Sequence, residues 1–151
     1  MLRSLGKPLA LAAYILGAPP SVAQVDDERA AALFVANALQ AEIQELSDKN
    51  WNLRQGFLGH VDKDSAFSHN MRVDRGDYFI VKGHCDRECS DMDLELLDSN
   101  GTVIVSDQGV DDTPEIRIRR KDLPASGARV RVRMYECVTN VCYYSVGVFS
   151  R

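Results

Sequence analysis

The chain has 151 residues, with 22 acidic and 18 basic side chains and a formal net charge of −4 at pH 7. That length supports one domain and excludes a large multidomain enzyme. Hydrophobic residues make up 45% and charged residues 26% of the chain, values that are ordinary for a globular protein and exclude global disorder. The negative charge argues against a nucleic-acid partner, because dedicated nucleic-acid binders are usually strongly basic.

Residues 1–23 have the pattern of a secretory signal peptide. Arg3 and Lys7 supply a positive start, a short apolar run follows, and residues 21–23 form a small-x-small cleavage signal. The apolar run is about half of the roughly 20 residues that a membrane-spanning helix needs, so we expect no membrane span. We predict cleavage before Gln24, export to the periplasm or out of the cell, and oxidised cysteines.

Residues 24–54 are predicted to form an N-terminal helix and a linker. The acidic residues 26–28 suit the first turn of a helix over residues 26–48, since the helix dipole favours negative charge there. The apolar stripe along this helix favours packing of the helix against the rest of the domain. The alternative is a coiled coil that makes a homo-oligomer, for which about two to three heptads are short. Apolar residues recur at spacings of four and three to form this stripe: Ala32, Ala36, Leu39, Ile43 and Leu46.

Residues 55–151 are predicted to form a β-sandwich domain, because the pattern changes to strict alternation with frequent turn residues. Asn100-Gly101 between two apolar runs predicts a hairpin. Eight short strands in about 95 residues are typical of a mainly β protein. We therefore predict a jelly-roll-like antiparallel β-sandwich preceded by one N-terminal α-helix. The candidate strands are 56–61, 66–73, 77–83, 92–98, 102–106, 115–119, 129–136 and 143–149.

The alternation also predicts which side chains face the core of the sandwich. Along the last three candidate strands, apolar residues alternate with arginines or with small or polar residues. A register slip of one residue would bury the arginines, so we expect the register to be strongly fixed. The residues predicted to point inward are Ile116, Ile118, Val130, Val132, Met134, Tyr144, Val146 and Val148.

The stretch from Cys85 to Asp107 carries an ordered motif: Asp91-x-Asp93-Leu94-x-Leu96, then Asp98-x-x-Gly101, then Asp107. This motif resembles the bacterial pre-peptidase C-terminal domain, and the two cysteine pairs are similar to those of a cysteine-bearing relative found as small exported bacterial proteins. The resemblance covers roughly residues 56–150. It implies a jelly-roll-like sandwich with a non-catalytic accessory or binding role. Because no protease domain is attached, we do not expect it to help a catalytic domain in the same chain.

Four cysteines, Cys85, Cys89, Cys137 and Cys142, allow three disulfide connectivities. Cys137 and Cys142 flank a four-residue turn between two predicted strands, which can bring their Cβ atoms within the roughly 3.5–4.5 Å that a disulfide needs. Cys85 and Cys89 share one loop, so the local pairs 85–89 and 137–142 are favoured over crossed pairs. A zinc site with His84 or a redox-active pair is disfavoured, because neither spacing is C-x2-C and export favours oxidation.

Charge is unevenly distributed along the chain. Residues 84–115 contain ten acids and one base, whereas residues 117–133 contain seven bases and one acid. Clustered carboxylates on loops are the ligands that Ca²⁺ requires, and Ca²⁺ is the one cofactor that the sequence suggests. The alternative, which we favour, is that these aspartates accept backbone N–H bonds in turns. The candidate ligands are Asp91, Asp93, Asp107, Asp111 and Asp112.

The basic stretch suggests anion binding. If strands 115–119 and 129–136 are neighbours, five arginines share one exposed sheet face. Guanidinium groups suit carboxylate, sulfate or phosphate, so the predicted partner is an anionic envelope glycan or an acidic protein surface. The favoured alternative is a solvated face that can pair with acids on an adjacent strand. Self-association of acidic and basic faces is a third possibility. The five are Arg117, Arg119, Arg129, Arg131 and Arg133.

No catalytic arrangement is recognisable, so we predict that the protein is not an enzyme. His60, His69 and His84 belong to no nucleophile motif, and no Gly-x-Ser-x-Gly, His-Glu-x-x-His or phosphate loop occurs. The sequence therefore predicts an exported binding or interaction module of the bacterial envelope. The alternatives are a structural protein that self-assembles through its helix and a Ca²⁺-stabilised accessory domain.

Overall fold

The computed structural model describes residues 21–151, which form one long helix and two β-sheets. Most of the predicted signal peptide lies outside the described residues. A single 3₁₀ turn, Arg120–Asp122, interrupts the strands. The elements are α1 (Val22–Asp48), β1 (Asn52–Asp62), β2 (Ala66–Met71), β3 (Tyr78–Cys85), β4 (Cys89–Leu97), β5 (Val103–Asp107), β6 (Glu115–Arg119), β7 (Ala128–Cys137) and β8 (Val141–Ser150).

The eight strands form a jelly-roll sandwich, as the alternation predicted. The first sheet has the order β1-β8-β3-β6 and the second has the order β2-β7-β4-β5. Every neighbouring pair is antiparallel, with β1 beside β8, β2 beside β7, β3 beside β6 and β4 beside β5. Because the first strand pairs with the last and the second with the seventh, residues that are far apart in sequence become neighbours. The two sheets enclose one core.

The core lies between the two sheets and contains the residues that alternation predicted. Val130, Val132 and Met134 on β7 are fully buried, and so are Val146 and Val148 on β8. Tyr144 and Ile116 are also buried, while Ile118 is partly buried against the same cluster. Burying each such side chain contributes roughly 1.5–3 kcal/mol, which fixes the strand register.

The predicted hairpin at Asn100-Gly101 joins β4 to β5. Gly101 has φ of +89°, a conformation that suits a residue without a Cβ atom. The Asp98 carboxylate accepts the backbone N–H groups of Asn100 and Thr102, both at 2.8 Å. The turn is thus held by an aspartate as well as by the glycine.

Helix α1 packs on the outer face of the first sheet and adds a third layer. Val35, Leu39 and Leu46 are buried, and the cluster beneath the helix includes Ile80 and Phe149 of the sheet. The apolar stripe therefore packs on the domain, as favoured from the sequence. Close approach is possible because glycines lie beneath it: a Cβ atom on Gly147 would be 3.0 Å from Leu39 Cδ1.

The two largest differences from the predicted boundaries lie at the starts of α1 and β1. Helix α1 begins at Val22 rather than at residue 26, because the Ser21 hydroxyl accepts the Gln24 N–H at 3.3 Å. The acidic residues 26–28 consequently lie beyond the first turn. Strand β1 begins at Asn52, so the expected linker shortens to residues 49–51. Among the described residues, no helix is long and apolar enough to cross a membrane.

Candidate functional site

A cleft with basic walls lies at the end of the sandwich where β3 begins and β6 ends. Its volume is about 850 Å³, and we call it the cationic cleft. Tyr78 on β3 and Arg119 on β6 are direct cross-strand partners, so their side chains lie on the same face. The lining residues are Val73, Asp77, Tyr78, Arg119, Arg120, Lys121, Leu123, Pro124 and Ala125.

The cleft forms because the chain turns sharply after β6. The Arg120 N–H donates to the Asp77 carbonyl at 2.8 Å, and the Leu123 N–H donates to the Arg120 carbonyl at 3.1 Å. These bonds hold Arg120 and Lys121 at the start of the loop and bring Leu123 back towards the core. The cleft therefore combines an apolar wall with exposed cations, a combination typical of ligand sites.

The cations of the cleft differ in how far they are neutralised. Arg119 Nε donates to Asp122 Oδ2 at 3.0 Å, so part of its charge is balanced. Arg120 and Lys121 are exposed, and neither forms an ion pair within residues 21–151. Asp77 is the acidic residue that lines the cleft itself. A net positive potential therefore remains at this end of the sandwich.

The expectation that five arginines share one face is corrected by the topology. Strand β6 lies at the edge of the first sheet, whereas β7 lies inside the second sheet. Arg117 and Arg119 are therefore separated by the whole sandwich from Arg129, Arg131 and Arg133. The physical reason is that strand pairing depends on long-range contacts, which the alternation of a single strand does not encode.

The arginines of β7 face acids on the neighbouring strand β4. Arg131 is the register partner of Glu95, and its Nε donates to the Glu95 carboxylate. Arg133 is the register partner of Asp93. The acidic and basic stretches of the sequence thus meet across one sheet, which matches the alternative of paired charges and leaves fewer guanidinium groups available for a ligand.

Two of the five candidate calcium ligands hold turns together, as the favoured alternative predicted. Asp107 accepts the Gly109 N–H at 3.1 Å and the Glu115 N–H at 2.8 Å through its two carboxylate oxygens. Asp111 accepts the Thr113 N–H at 2.8 Å. Asp112 is exposed, and its backbone carbonyl accepts the Cys85 N–H. Within residues 21–151, no group of three or more His, Cys, Asp or Glu side chains is placed to hold a metal ion.

The other two candidate ligands lie on β4. Asp91 is partly buried, whereas Asp93 is only 3% exposed. Burial raises the pKa of Asp93 to about 6, and the nearby carboxylates of Asp91, Glu95 and Asp107 act in the same direction. Arg133 opposes this shift without cancelling it. The pKa of Asp93 therefore lies well above the usual range of an aspartate, at about 6.

The cysteines lie in the two local pairs that the sequence favoured. Cys85 and Cys89 have Cα atoms 5.9 Å apart, and Cys137 and Cys142 have Cα atoms 6.0 Å apart. Both values fall in the usual range for a disulfide. None of the four thiols is free, so no cysteine is left for zinc. The two pairs lie at the end of the sandwich opposite the cationic cleft.

A buried polar cluster under α1 was not predicted from the sequence. Glu42 is 6% exposed, and its Oε2 lies 2.9 Å from Lys82 Nζ and 3.5 Å from His84 Nε2. Burial lowers the pKa of His84, although Glu42 opposes the shift. The available signal was that Glu42 lies three residues after Leu39 and four before Leu46, hence on the apolar stripe.

His69 and Tyr144 form a second polar contact inside the sandwich. His69 Nε2 lies 2.8 Å from the Tyr144 hydroxyl, and Phe57 stacks on the His69 ring with centroids 4.3 Å apart. Burial lowers the pKa of His69 and raises the pKa of Tyr144 to about 12, so both groups are neutral at pH 7. Gly59 makes room for this contact, since a Cβ atom there would lie 2.7 Å from the Tyr144 hydroxyl.

Comparisons with models of known protein families and with curated proteins find no match to this chain. The resemblance to the pre-peptidase C-terminal domain accordingly stays a prediction. The residues that sequence reasoning missed at the cleft are Tyr78, Arg120 and Lys121. A signal for two of them existed in the basic run 119–121 directly before Asp122 and Pro124.

Proposed function

We propose that this protein is an exported, non-catalytic binding module of the bacterial envelope that recognises an anionic glycan through the cationic cleft. The observation that carries the proposal is the pair Arg120 and Lys121, two exposed cations without an ion-pair partner among the described residues, at the rim of a cleft of about 850 Å³. Apolar lining from Val73, Leu123 and Pro124 suits the carbon skeleton of a sugar.

A glycan suits the cleft better than the other anionic partners that we considered. The cleft is concave, whereas an acidic protein surface requires a broad complementary patch of about 800 Å² per partner. The β7 arginines that would have widened such a patch lie on the opposite sheet and face carboxylates there. The exposed ring of Tyr78 adds an amphipathic surface on which a sugar ring can lie.

The proposal is tested by the affinity of the protein for polygalacturonate, with neutral dextran as the control polymer. We expect binding to polygalacturonate only, and we expect it to weaken when NaCl rises from about 0.05 M to about 0.5 M, because salt screens exposed charges. The double variant Arg120→Glu, Lys121→Glu should lose binding.

The matched control is the double variant Arg29→Glu, Lys63→Glu, which makes the same charge change near the disulfide end. It should bind polygalacturonate like the unchanged protein. Equal loss in both double variants would mean that net charge, rather than the cleft, determines binding, and that result would overturn the proposal.

A second candidate function, self-assembly through α1, is favoured by exposed apolar side chains on the N-terminal half of the helix. Leu33 is 53% exposed and Val25 is 47% exposed, whereas Leu39 and Leu46, further along the same helix, are buried. Light scattering of the double variant Val25→Gln, Leu33→Gln tests this candidate. A particle that becomes smaller supports self-assembly through the helix, and an unchanged mass rejects it.

A further inference from the structure

A second cavity of about 380 Å³ adjoins the cationic cleft. Both cavities are lined by Tyr78 and Arg119, so these two side chains form the wall between them. We call the larger cavity the first lobe and the smaller one the second lobe. The second lobe is lined by Trp51, Tyr78, Phe79, Arg117, Ile118, Arg119, Asp122 and Arg151.

The second lobe has its own cations and its own aromatic wall. The Arg151 guanidinium lies 4.6 Å from the centre of the Trp51 ring and 5.8 Å from the centre of the Tyr78 ring. This stacking orders the guanidinium while leaving its N–H groups able to donate. Arg117 Nε donates to the Glu115 carboxylate, so Arg151 is the less neutralised of the two arginines.

The half-exposed Tyr78 ring therefore lies between two groups of cations, Arg120 and Lys121 on one side and Arg151 on the other. We propose that the two lobes bind successive anionic residues of one linear acidic saccharide, with a sugar ring against Tyr78. This inference rests on the proposed function and adds that the ligand is a chain with repeated charges rather than a single acidic sugar.

The cations of both lobes are exposed to solvent, which favours binding of a chain over binding of a single anion. An exposed ion pair contributes only roughly 0–1 kcal/mol, so one carboxylate in one lobe gains little affinity. When two charges are linked, the second contact forms at a high effective concentration, and the affinity exceeds that of either contact alone. Single-stranded nucleic acid also combines repeated charge with rings that stack, so it serves as a competing probe.

The test compares galacturonic acid with its linear tetramer by calorimetry on the full chain. We expect the tetramer to bind at least about ten-fold more tightly than the monomer, as linkage of two weak contacts predicts. Arg151→Gln and Lys121→Gln, one in each lobe, should each weaken tetramer binding towards the level of the monomer. Arg29→Gln is the matched control and should leave both affinities unchanged.

The role of the tyrosine is tested separately. Tyr78→Phe keeps the ring and should keep tetramer affinity within about two-fold, whereas Tyr78→Ala should weaken it by about ten-fold or more, on the scale of one stacked aromatic contact. Thermal melting of both variants shows whether the fold is retained. If Tyr78→Ala unfolds, the two lobe variants still decide the question.

The outcomes separate this inference from the proposed function. Equal affinity for monomer and tetramer, still lost in the Arg120→Glu, Lys121→Glu variant, would overturn the chain-binding inference and leave the proposed function standing. Absence of binding to any anionic saccharide would overturn both. Tighter binding of oligothymidylate than of the saccharide tetramer would assign the lobes to nucleic acid and overturn the inference.

Discussion

The carboxylate of Glu42 on α1 lies 2.9 Å from Nζ of Lys82 on β3, within the contact between the helix and the first sheet. Glu42 is almost fully buried, and the Lys82 side chain is 22% exposed. The His84 ring, whose pKa is lowered by burial, lies 3.5 Å from the same carboxylate. The helix is thus joined to the sheet by charge as well as by the apolar residues around it.

We expect Glu42→Gln to destabilise the protein by about 2 kcal/mol, because removing one partner leaves Lys82 largely buried without its closest carboxylate. The free energy of unfolding from urea titration measures the loss. The matched control is Glu45→Gln on the same helix, whose pair with Lys49 is exposed, so no measurable loss is expected. Equal effects of the two changes would refute a special role for the buried pair.

Asp93→Asn should stabilise the protein near pH 8 and have little effect near pH 4. The folded-state pKa of Asp93, about 6, is raised above the ordinary value of 3.8, so the folded state binds this proton more tightly than the unfolded state does. The stability that the proton contributes is present below about pH 4 and is lost as the pH rises through 6. With about 1.4 kcal/mol for each pKa unit, the gain at pH 8 is about 2–3 kcal/mol.

Urea titrations at a series of pH values measure this effect. Asp26→Asn, on the exposed start of α1, is the control, and its stability should follow that of the unchanged protein at every pH. If the free energies of unfolding of Asp93→Asn and of the unchanged protein differed by a constant amount from pH 4 to pH 8, the titration of Asp93 would not be the cause of the difference.

Asp107→Ala should cost about 1–2 kcal/mol, since it removes the acceptor of two backbone N–H groups. Asp112→Ala is the control, because the Asp112 side chain accepts no hydrogen bond within residues 21–151, and this change should leave the stability almost unchanged.

We further expect the melting temperature to be the same with Ca²⁺ and with chelator. An ion at 100 times its dissociation constant would add roughly 2.7 kcal/mol, so a clear upward shift would instead establish a calcium site.

Removing either disulfide should destabilise the protein by about 2 kcal/mol, because each bond closes a short loop and so restricts the unfolded chain only modestly. Cys137→Ser with Cys142→Ser, and Cys85→Ser with Cys89→Ser, allow the two losses to be compared in urea. Dithiothreitol should lower the free energy of unfolding of the unchanged protein by about the sum of the two losses. A protein indifferent to reductant would contradict both pairings.

The strands and their faces could be predicted because alternation is a local property. Val130, Val132 and Met134 are buried on β7, and the arginines between them point away from the core. The neighbours of each strand could not be predicted, because β6 and β7 are adjacent in sequence but belong to different sheets. Because of this difference, the candidate site is a cleft rather than the flat face of five arginines that the sequence predicted.

The cleft and its second lobe could not be predicted from the sequence, because three separate segments of the chain form them. Tyr78 comes from the start of β3, Arg119 from the end of β6, and Arg151 from the residue after β8. Their proximity follows from the jelly-roll order rather than from spacing along the chain. The basic run 119–121 indicated positive charge, but its position beside an aromatic ring required the fold.

Strand β8 lies between β1 and β3 in the first sheet and supplies Tyr144, Val146 and Val148 to the core. Strand β8 follows the other seven strands in chain order, so during synthesis the first sheet stays divided between β1 and the β3-β6 pair until β8 emerges. Without β8, strand β1 would have no partner in the first sheet and β3 would pair only with β6. We therefore expect the first sheet to form late in folding, because its pairing depends on contacts between residues that are far apart in sequence.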